Sequence, residues 1–103
     1  MTVKLTVVYG TPDEAELFDK HYAEVHTPIV ERWPGVERIE VAKVLGGPGG
    51  SKSPYHLITE IYFADNDALN GALGSDAGRE AGKDFMQIAP QGSFMTVSEV
   101  VGG

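Results

Sequence analysis

The sequence predicts an α+β protein of the ferredoxin-like class, in which a four-stranded antiparallel sheet carries helices on one face. Three observations predict this class. Four segments have the apolar alternation or the β-branched and aromatic composition of strands. Helix-forming segments fall between the first and second strands and between the third and fourth, which gives the order β-α-β-β-α-β. No repeat or linker interrupts this order, so residues 1–103 are expected to form one domain.

The first strand is predicted at residues 2–9, and Gly10 ends it. Its apolar side chains occupy every second position and share one face of the sheet: Val3, Leu5, Val7 and Tyr9. Thr11, Pro12 and Glu14 then follow as N-cap, first helical residue and capping-box acid. This order predicts that the first helix starts at Thr11.

Pro28 is expected to interrupt the first helix. Proline has no amide hydrogen to donate, so the helix should kink or restart around Thr27. Residues 28–33 are predicted to add a further turn or two, and Pro34 and Gly35 end the helix.

The rest of the chain supplies three more strands, at residues 36–45, 55–63 and 93–101. A glycine-rich loop, residues 46–54, joins the second strand to the third. Asp65 is the predicted cap of the next helix, which breaks at Gly74. A second helical piece is predicted from residue 75 to 87, weakened by two glycines.

The third strand carries apolar side chains on both faces. Leu57, Ile61 and Phe63 share one face, and Ile58 and Tyr62 share the other. Helices cover only one face of such a sheet, and monomers usually avoid a large exposed apolar patch. We therefore expect a homodimer in which two sheets face each other about a two-fold axis.

Composition excludes several classes of function. The chain has 15 acidic residues against 8 Lys and Arg and no basic run, so nucleic acid is not an expected partner. The absence of cysteine excludes disulfides, thiolate metal sites and cysteine nucleophiles. No apolar run approaches the ~20 residues of a membrane span, and the N-terminus has no signal-peptide pattern. No membrane partner is expected, and the expected location is cytoplasmic.

Residues 18–41, FDKHYAEVHTPIVERWPGVERIEV, resemble the start of the EthD family, whose members share the pattern F-x-x-H-Y-x-x-x-H-x-P followed by P-G. The pattern falls here on Phe18, His21, Tyr22, His26, Pro28, Pro34 and Gly35. The second half is also similar to the family, including Phe63 and the Asp84-Phe85 pair. The resemblance implies the dimeric α+β barrel fold. It also implies similarity to small cofactor-free enzymes, including lactone isomerases and polyketide cyclases or oxygenases, although many members have no assigned activity.

The first helix holds the candidate catalytic residues His26, Tyr22 and His21. Tyr22 and His26 are four residues apart on a helix and can reach one pocket, whereas His21 borders that face. Histidine transfers protons near neutral pH, so His26 is the candidate general base or acid. The alternative is structural: His26 bonds a carbonyl group freed by Pro28 and supports the kink.

Six further residues are candidates for ligand binding because they are aromatic, flexible or at a strand end: Phe18, Tyr55, His56, Phe85, Phe94 and Met95. For Phe18, Phe85, Phe94 and Met95 the alternative is core packing, and for His56 it is a solvated strand end. Asp84 is a further candidate acid or base, although an Asp near a helix C-terminus is usually solvated. A metal site of three histidines is disfavoured, because His21 and His26 diverge on an α-helix.

The function hypothesis is proton transfer on a small apolar or aromatic carbonyl compound held between helix and sheet. His26, assisted by Tyr22 or His21, would isomerise, cyclise or dehydrate this ligand, and no metal or organic cofactor is required. Two alternatives stay open. One is a non-catalytic ligand-binding or accessory protein of a degradative or biosynthetic pathway, and the other is a cofactor-free monooxygenase acting on an electron-rich phenol.

Overall fold

The computed structural model describes residues 1–103. Its elements follow the predicted order: β1 (Val3–Gly10), α1 (Ala15–His21), a π-helical turn (Tyr22–His26), α2 (Thr27–Glu31), β2 (Val36–Lys43), a 3₁₀ turn (Pro48–Gly50), β3 (Tyr55–Phe63), α3 (Asn66–Gly74), α4 (Asp76–Ile88) and β4 (Phe94–Glu99). The strands form one antiparallel sheet in the order β2-β3-β1-β4. This is the ferredoxin-like α+β fold that the sequence predicts. None of the helices has the length and apolar character needed to cross a bilayer.

The hydrophobic core lies between the helices and one face of the sheet, which we call the inner face. In the two central strands β1 and β3, Leu5 stands opposite Ile61, and the buried side chains alternate with half-buried ones along β3. Trp33, just after α2, is buried and donates its indole N–H to the carbonyl oxygen of Ala77 at 3.1 Å. This bond joins α2 to α4 and fixes the helical layer over the inner face.

Helix α4 approaches α3 closely at Gly78. A Cβ atom there would lie 2.1 Å from the carbonyl oxygen of Ala72 and 2.6 Å from that of Leu73. Ser75 caps α4 by accepting a hydrogen bond from the Gly78 amide at 3.0 Å, so one serine joins the two helices. From the sequence, Gly78 is predicted to weaken the helix. In the structure α4 is continuous, and Gly78 permits its contact with α3.

The first helix starts later than the sequence predicts. It begins at Ala15 with Glu14 as N-cap, and no side chain caps it. Thr11 bonds elsewhere: its amide and its hydroxyl both donate to the Pro54 carbonyl oxygen at 3.1 Å. The predicted cap at Thr11 is therefore wrong: both donors of Thr11 bond the loop before β3, and the helix begins four residues later.

The predicted kink takes the form of a π-helical turn directly before Pro28. The Thr27 amide donates to the carbonyl oxygen of Tyr22, five residues back, and the Thr27 hydroxyl donates to the same oxygen at 3.0 Å. Proline cannot donate an amide hydrogen, and in an α-helix its ring clashes with the carbonyl group four residues earlier. A wider turn accommodates this residue, and π-turns recur at functional sites.

The face of the sheet away from the helices, which we call the outer face, is mixed in character. Ile58 and Tyr62 are half-buried on it, as the alternation in β3 predicts. Neighbouring strands add charge, since Lys4 pairs with Glu60 and the Arg38 guanidinium lies 4.3 Å from the centre of the Tyr62 ring. The outer face therefore combines apolar and ionic groups, and it is less apolar than the sequence of β3 alone indicates.

Candidate functional site

A cavity of ≈ 60 Å³ lies between the helical layer and the inner face of the sheet. Eleven of its 15 lining residues are hydrophobic, so few polar atoms face it. The sheet contributes Tyr9 and Thr59 to the wall, and the π-turn contributes Tyr22 and His26. These four side chains determine what chemistry the cavity supports.

His26 is the histidine in the cavity wall, and it is only 6% exposed. Its Nδ1 lies 2.8 Å from Oδ2 of Asp84. An ionised carboxylate only accepts hydrogen bonds, so Nδ1 is the donor, and in the neutral ring Nε2 then has the lone pair. Nε2 has no partner in the protein, yet no fully enclosed side-chain nitrogen or oxygen is without one. Nε2 therefore keeps some accessible surface, and His26 is one of the residues that line the cavity. The partner of His26 is a carboxylate and not the carbonyl group that the structural alternative requires.

Asp84 lies between two histidines. Its Oδ1 is 2.8 Å from Nε2 of His21, while Oδ2 contacts His26. The expectation of a solvated side chain is wrong. Helix α4 continues to Ile88, and Asp84 lies on the inner side of this helix, where it is only 9% exposed. Asp84 thus fixes the ring orientation of His26 and stabilises any positive charge that forms there.

The π-turn explains how one carboxylate reaches both histidines. Residues five apart on an α-helix are separated by about 140° around the axis. In a π-turn the hydrogen bonds join residues five apart, which places His21 and His26 one turn from each other. The prediction that the two histidines diverge assumed α-helical geometry and is wrong for this reason. No group of three or more His, Asp or Glu side chains has an arrangement that could hold a metal ion.

Tyr22 lies between His26 and the sheet. Its hydroxyl group hydrogen-bonds Oγ1 of Thr59, and its ring stacks on that of His26 with 5.4 Å between the ring centres. Burial raises the pKa of Tyr22, and the hydrogen bond with Thr59 offsets part of that effect. At neutral pH this phenol is therefore protonated.

Tyr9 presents a second phenol to the cavity. The residue is 1% exposed and lines the cavity, and its hydroxyl group makes no hydrogen bond within the protein. Burial, followed by the proximity of Tyr22 and of the Asp84 carboxylate, raises the pKa of Tyr9 far above its usual range. Tyr9 is therefore a neutral hydrogen-bond donor without a protein partner.

Two of the predicted ligand-binding residues, Phe85 and Met95, line the cavity. Met95 stands opposite Val7 of β1 and so shares the inner face. His21 does not line the cavity; its side chain, 36% exposed, lies beyond Asp84 in a surface groove. It reaches the site only through the carboxylate.

The other four predicted ligand-binding residues lie outside the cavity. Phe18 is buried in the core, and the His56 ring packs edge-on against it while Nε2 lies 2.7 Å from Oδ1 of Asp19. Phe94 stands opposite Val8 of β1, which places it on the outer face, where Tyr55 contacts it. His56 thus forms a second His–Asp pair, outside the cavity.

Sequence reasoning did not select Tyr9 or Thr59 as site residues. Both occupy buried positions of alternating strands, Tyr9 after Val7 and Thr59 between Leu57 and Ile61. A polar side chain at such a position needs a hydrogen-bond partner or a ligand. This pattern was visible in the sequence and indicates the site.

We expect the stability of the fold to fall above about pH 10. The phenols of Tyr9 and Tyr22 have an ordinary pKa of 10.0, which is raised in the folded state. Between the two values the folded state holds more protons, so its stability is complete below pH 10 and falls as the pH rises. Tyr9→Phe should flatten this fall by up to about 1.4 kcal/mol per pH unit.

Urea unfolding between pH 8 and about 11 measures the free energy of unfolding, with Tyr55→Phe as the control. If the free energy falls equally steeply with pH in Tyr9→Phe and in the wild type, the burial effect is contradicted.

A family model described as the EthD domain matches residues 12–89, from before α1 to just after α4. The chain belongs to the EthD family. A relative in Rhodococcus erythropolis, an uncharacterized 11.0 kDa protein in the thcB-thcC intergenic region, is 30% identical over 96 residues, 93% of this chain and 92% of that protein. The EthD pattern that the sequence contains, from Phe18 to Gly35, includes the π-turn and both histidines of the site.

Solved structures share the fold. An EthD family protein from Bacillus halodurans is 32% identical with a TM-score of 0.92, over 98% of this chain and 100% of that chain. The hydroxynitrile lyase of Passiflora edulis has a TM-score of 0.79 at 12% identity, over 97% and 94% of the two chains. A dimeric ferredoxin-like protein of unknown function from Bacteroides fragilis has a TM-score of 0.69 at 15% identity, over 96% of both chains. At such identities the last two matches show the fold alone.

Proposed function

We propose that residues 1–103 form one EthD-like domain that acts in the cytoplasm on a small apolar or aromatic carbonyl compound, transferring a proton without a cofactor. One observation carries this proposal: His26 lines an apolar cavity, its Nδ1 is held by Asp84, and its Nε2 has no partner in the protein. A histidine oriented in this way is a general base for a ligand in the cavity.

In the proposed reaction, Nε2 of His26 removes a proton from the carbon next to the carbonyl group. The electron pair of that C–H bond moves into the carbonyl group and forms an enolate. Asp84 stabilises the imidazolium, because a carboxylate 2.8 Å from Nδ1 favours the positive charge. Return of the proton to another carbon isomerises the ligand, attack of the enolate on a second carbonyl group cyclises it, and loss of a β-hydroxyl group dehydrates it.

Tyr9 supports this reaction as the donor to the enolate oxygen. Tyr9 lines the cavity, its hydroxyl has no protein partner, and its raised pKa keeps it protonated. A donor already placed in a largely apolar cavity stabilises a developing oxyanion more than water does. Tyr22, which is held by Thr59, positions the His26 ring through stacking.

The cavity limits the size of the ligand. Its volume of ≈ 60 Å³ is far below the roughly 300–1,000 Å³ of pockets for drug-sized molecules. Leu73 and Met95, which are 37% and 44% exposed, lie where the wall reaches the surface. The ligand is therefore small, or it enters by displacing these two flexible side chains.

Hydrogen–deuterium exchange at carbon tests the proposal without knowledge of the natural substrate. Cyclohexanone, acetophenone and γ-valerolactone are incubated with the protein in D2O, and proton NMR follows the hydrogens next to the carbonyl group. We expect the protein to accelerate exchange of at least one probe over buffer. If ligand-observed NMR detects binding of the probes but none exchanges faster than in buffer, the proposal of proton transfer fails.

That outcome would favour a non-catalytic binding or accessory role. The predominance of hydrophobic residues in the cavity wall supports this second candidate, since apolar surface alone holds an apolar ligand. Binding that is equally strong in the wild type and in His26→Gln, without exchange in either, would establish it over the first.

We also propose that the protein is a homodimer joined through the outer faces of its sheets. Ile58 and Tyr62 are half-buried there, Phe94 is 45% exposed, and a structural neighbour with this fold is described as dimeric. Sedimentation velocity at micromolar concentration should give the mass of two chains. A stable monomer would contradict the proposed assembly.

A further inference from the structure

The carboxylate of Asp84 links the base in the cavity to a histidine at the surface. One oxygen contacts Nδ1 of His26 and the other contacts Nε2 of His21, each at 2.8 Å. The side chain of His26 is 7% exposed, that of Asp84 is 10% exposed and that of His21 is 36% exposed. The three groups therefore run from the cavity to solvent, with a single negative charge between two ionisable rings.

We propose that His21 is a positioning residue whose protonation sets the proton affinity of His26 through Asp84. When His21 is neutral, the full charge of Asp84 acts on His26 and favours its imidazolium form. When His21 takes up a proton, it neutralises that charge, and the imidazolium of His26 loses its support. A fall in pH outside the cavity therefore weakens the base inside it. The effect of this coupling on catalysis rests on the proposed function, but the coupling between His21 and His26 does not.

The surroundings of His21 suit such a role. Its Nδ1 makes no hydrogen bond within the protein, and the side chain, which is 36% exposed, lines the surface groove. Asp84 of α4 contacts the ring, and the charged residues of the groove are Lys20 and Glu24 on the same helical segment as His21. The other groove residues carry no charge: Pro12, Leu17, Phe18, Val25 and Ile88. Asp84 is the only one of these groups in contact with both histidines.

A purely structural role for His21 makes a different prediction. If His21 only anchors Asp84, any other hydrogen-bond donor can replace it. Its loss then changes the stability of the fold but does not change how His26 titrates. A histidine linked through charge changes the titration of His26 even when the anchoring hydrogen bond is kept. Two groups that interact in this way titrate in two shared steps.

The experiment is an NMR titration of the protein with ¹⁵N-labelled histidine over about pH 5 to 9. His21→Gln keeps a donor for Oδ1 but cannot be protonated, and His21→Lys keeps a positive charge throughout. We expect the His26 midpoint to rise in His21→Gln and to fall in His21→Lys. His56, paired with Asp19 outside this cluster, is the internal reference and should not move.

Asp84→Asn completes the test as a double-mutant cycle. In that background His21→Gln should no longer shift the midpoint of His26, because the carboxylate that links them is gone. Identical His26 curves in the wild type, His21→Gln and His21→Lys would overturn the proposal. If the titrations of His21 and His26 are linked but the protein exchanges no carbon-bound hydrogen of the probes, the link is supported and only the proposed function is contradicted.

Discussion

His26→Gln is expected to keep the fold and to slow carbon–hydrogen exchange by at least ~100-fold, since a positioned general base contributes about 10² to 10⁴ in rate. Glutamine is close to histidine in size and offers an amide donor to Asp84, but it has no basic nitrogen to present to the cavity. The measurement is the initial rate of deuterium uptake by any probe that the wild type activates. Circular dichroism and the thermal midpoint report on the fold.

His56→Gln is the matched control for this variant. His56 contacts Asp19 at 2.7 Å, much as His26 contacts Asp84 at 2.8 Å, but it does not line the cavity. The exchange rate of His56→Gln should equal that of the wild type. If His26→Gln exchanges at the wild-type rate and only its thermal midpoint falls, the role of His26 is structural.

Gly78→Ala is expected to destabilise the fold by about 2–3 kcal/mol, the upper range for overpacking in a well-packed core. The added methyl group would stand 2.1 Å from the carbonyl oxygen of Ala72, so α3 and α4 must separate. For a domain of this size such a loss lowers Tm by roughly 10 °C or more. Urea unfolding at one fixed protomer concentration measures it, because the proposed dimer makes stability depend on concentration.

Gly82→Ala, four residues along the same helix, is the control and should have the opposite effect. A Cβ atom at Gly82 meets no atom within 4 Å, so only the helix propensity changes. Replacing glycine by alanine inside a helix stabilises it by about 0.5–1 kcal/mol. Equal destabilisation by both substitutions would show that the close helix contact at Gly78 is not the cause.

The order of the elements was predictable because each rests on local chemistry. Residues 55–63 form β3 with the predicted limits, and Asp65 accepts the capping hydrogen bond from Ala68 that its position predicts. The start of α1 was not predictable from local rules, since the hydroxyl of Thr11 bonds Pro54, which is 43 positions away. Capping patterns compete with tertiary hydrogen bonds, and the sequence alone does not show which of them forms.

The candidate site was predictable on its helical side only. The spacing of Tyr22 and His26 indicated a shared pocket, and both residues line the cavity. The π-turn and the contact of Asp84 with both histidines depend on a packing of α4 against the first helix that no local pattern encodes. Asp84 follows Ala81 by three positions and precedes Ile88 by four, a spacing that puts the three residues on one face of a helix. This apolar spacing was the sequence signal that Asp84 lies on the inner side of α4.

The tautomer of His26 tests the central claim most directly, because the claim is that Nδ1 donates to Asp84 while an unprotonated Nε2 faces the cavity. Two-dimensional ¹H–¹⁵N NMR of histidine-labelled protein, at a pH where His26 is neutral, distinguishes the two ring nitrogens. We predict a protonated Nδ1 whose hydrogen is protected from solvent exchange, together with a basic Nε2 whose chemical shift changes when acetophenone is added. A protonated Nε2 that does not respond to the ligand would contradict the account.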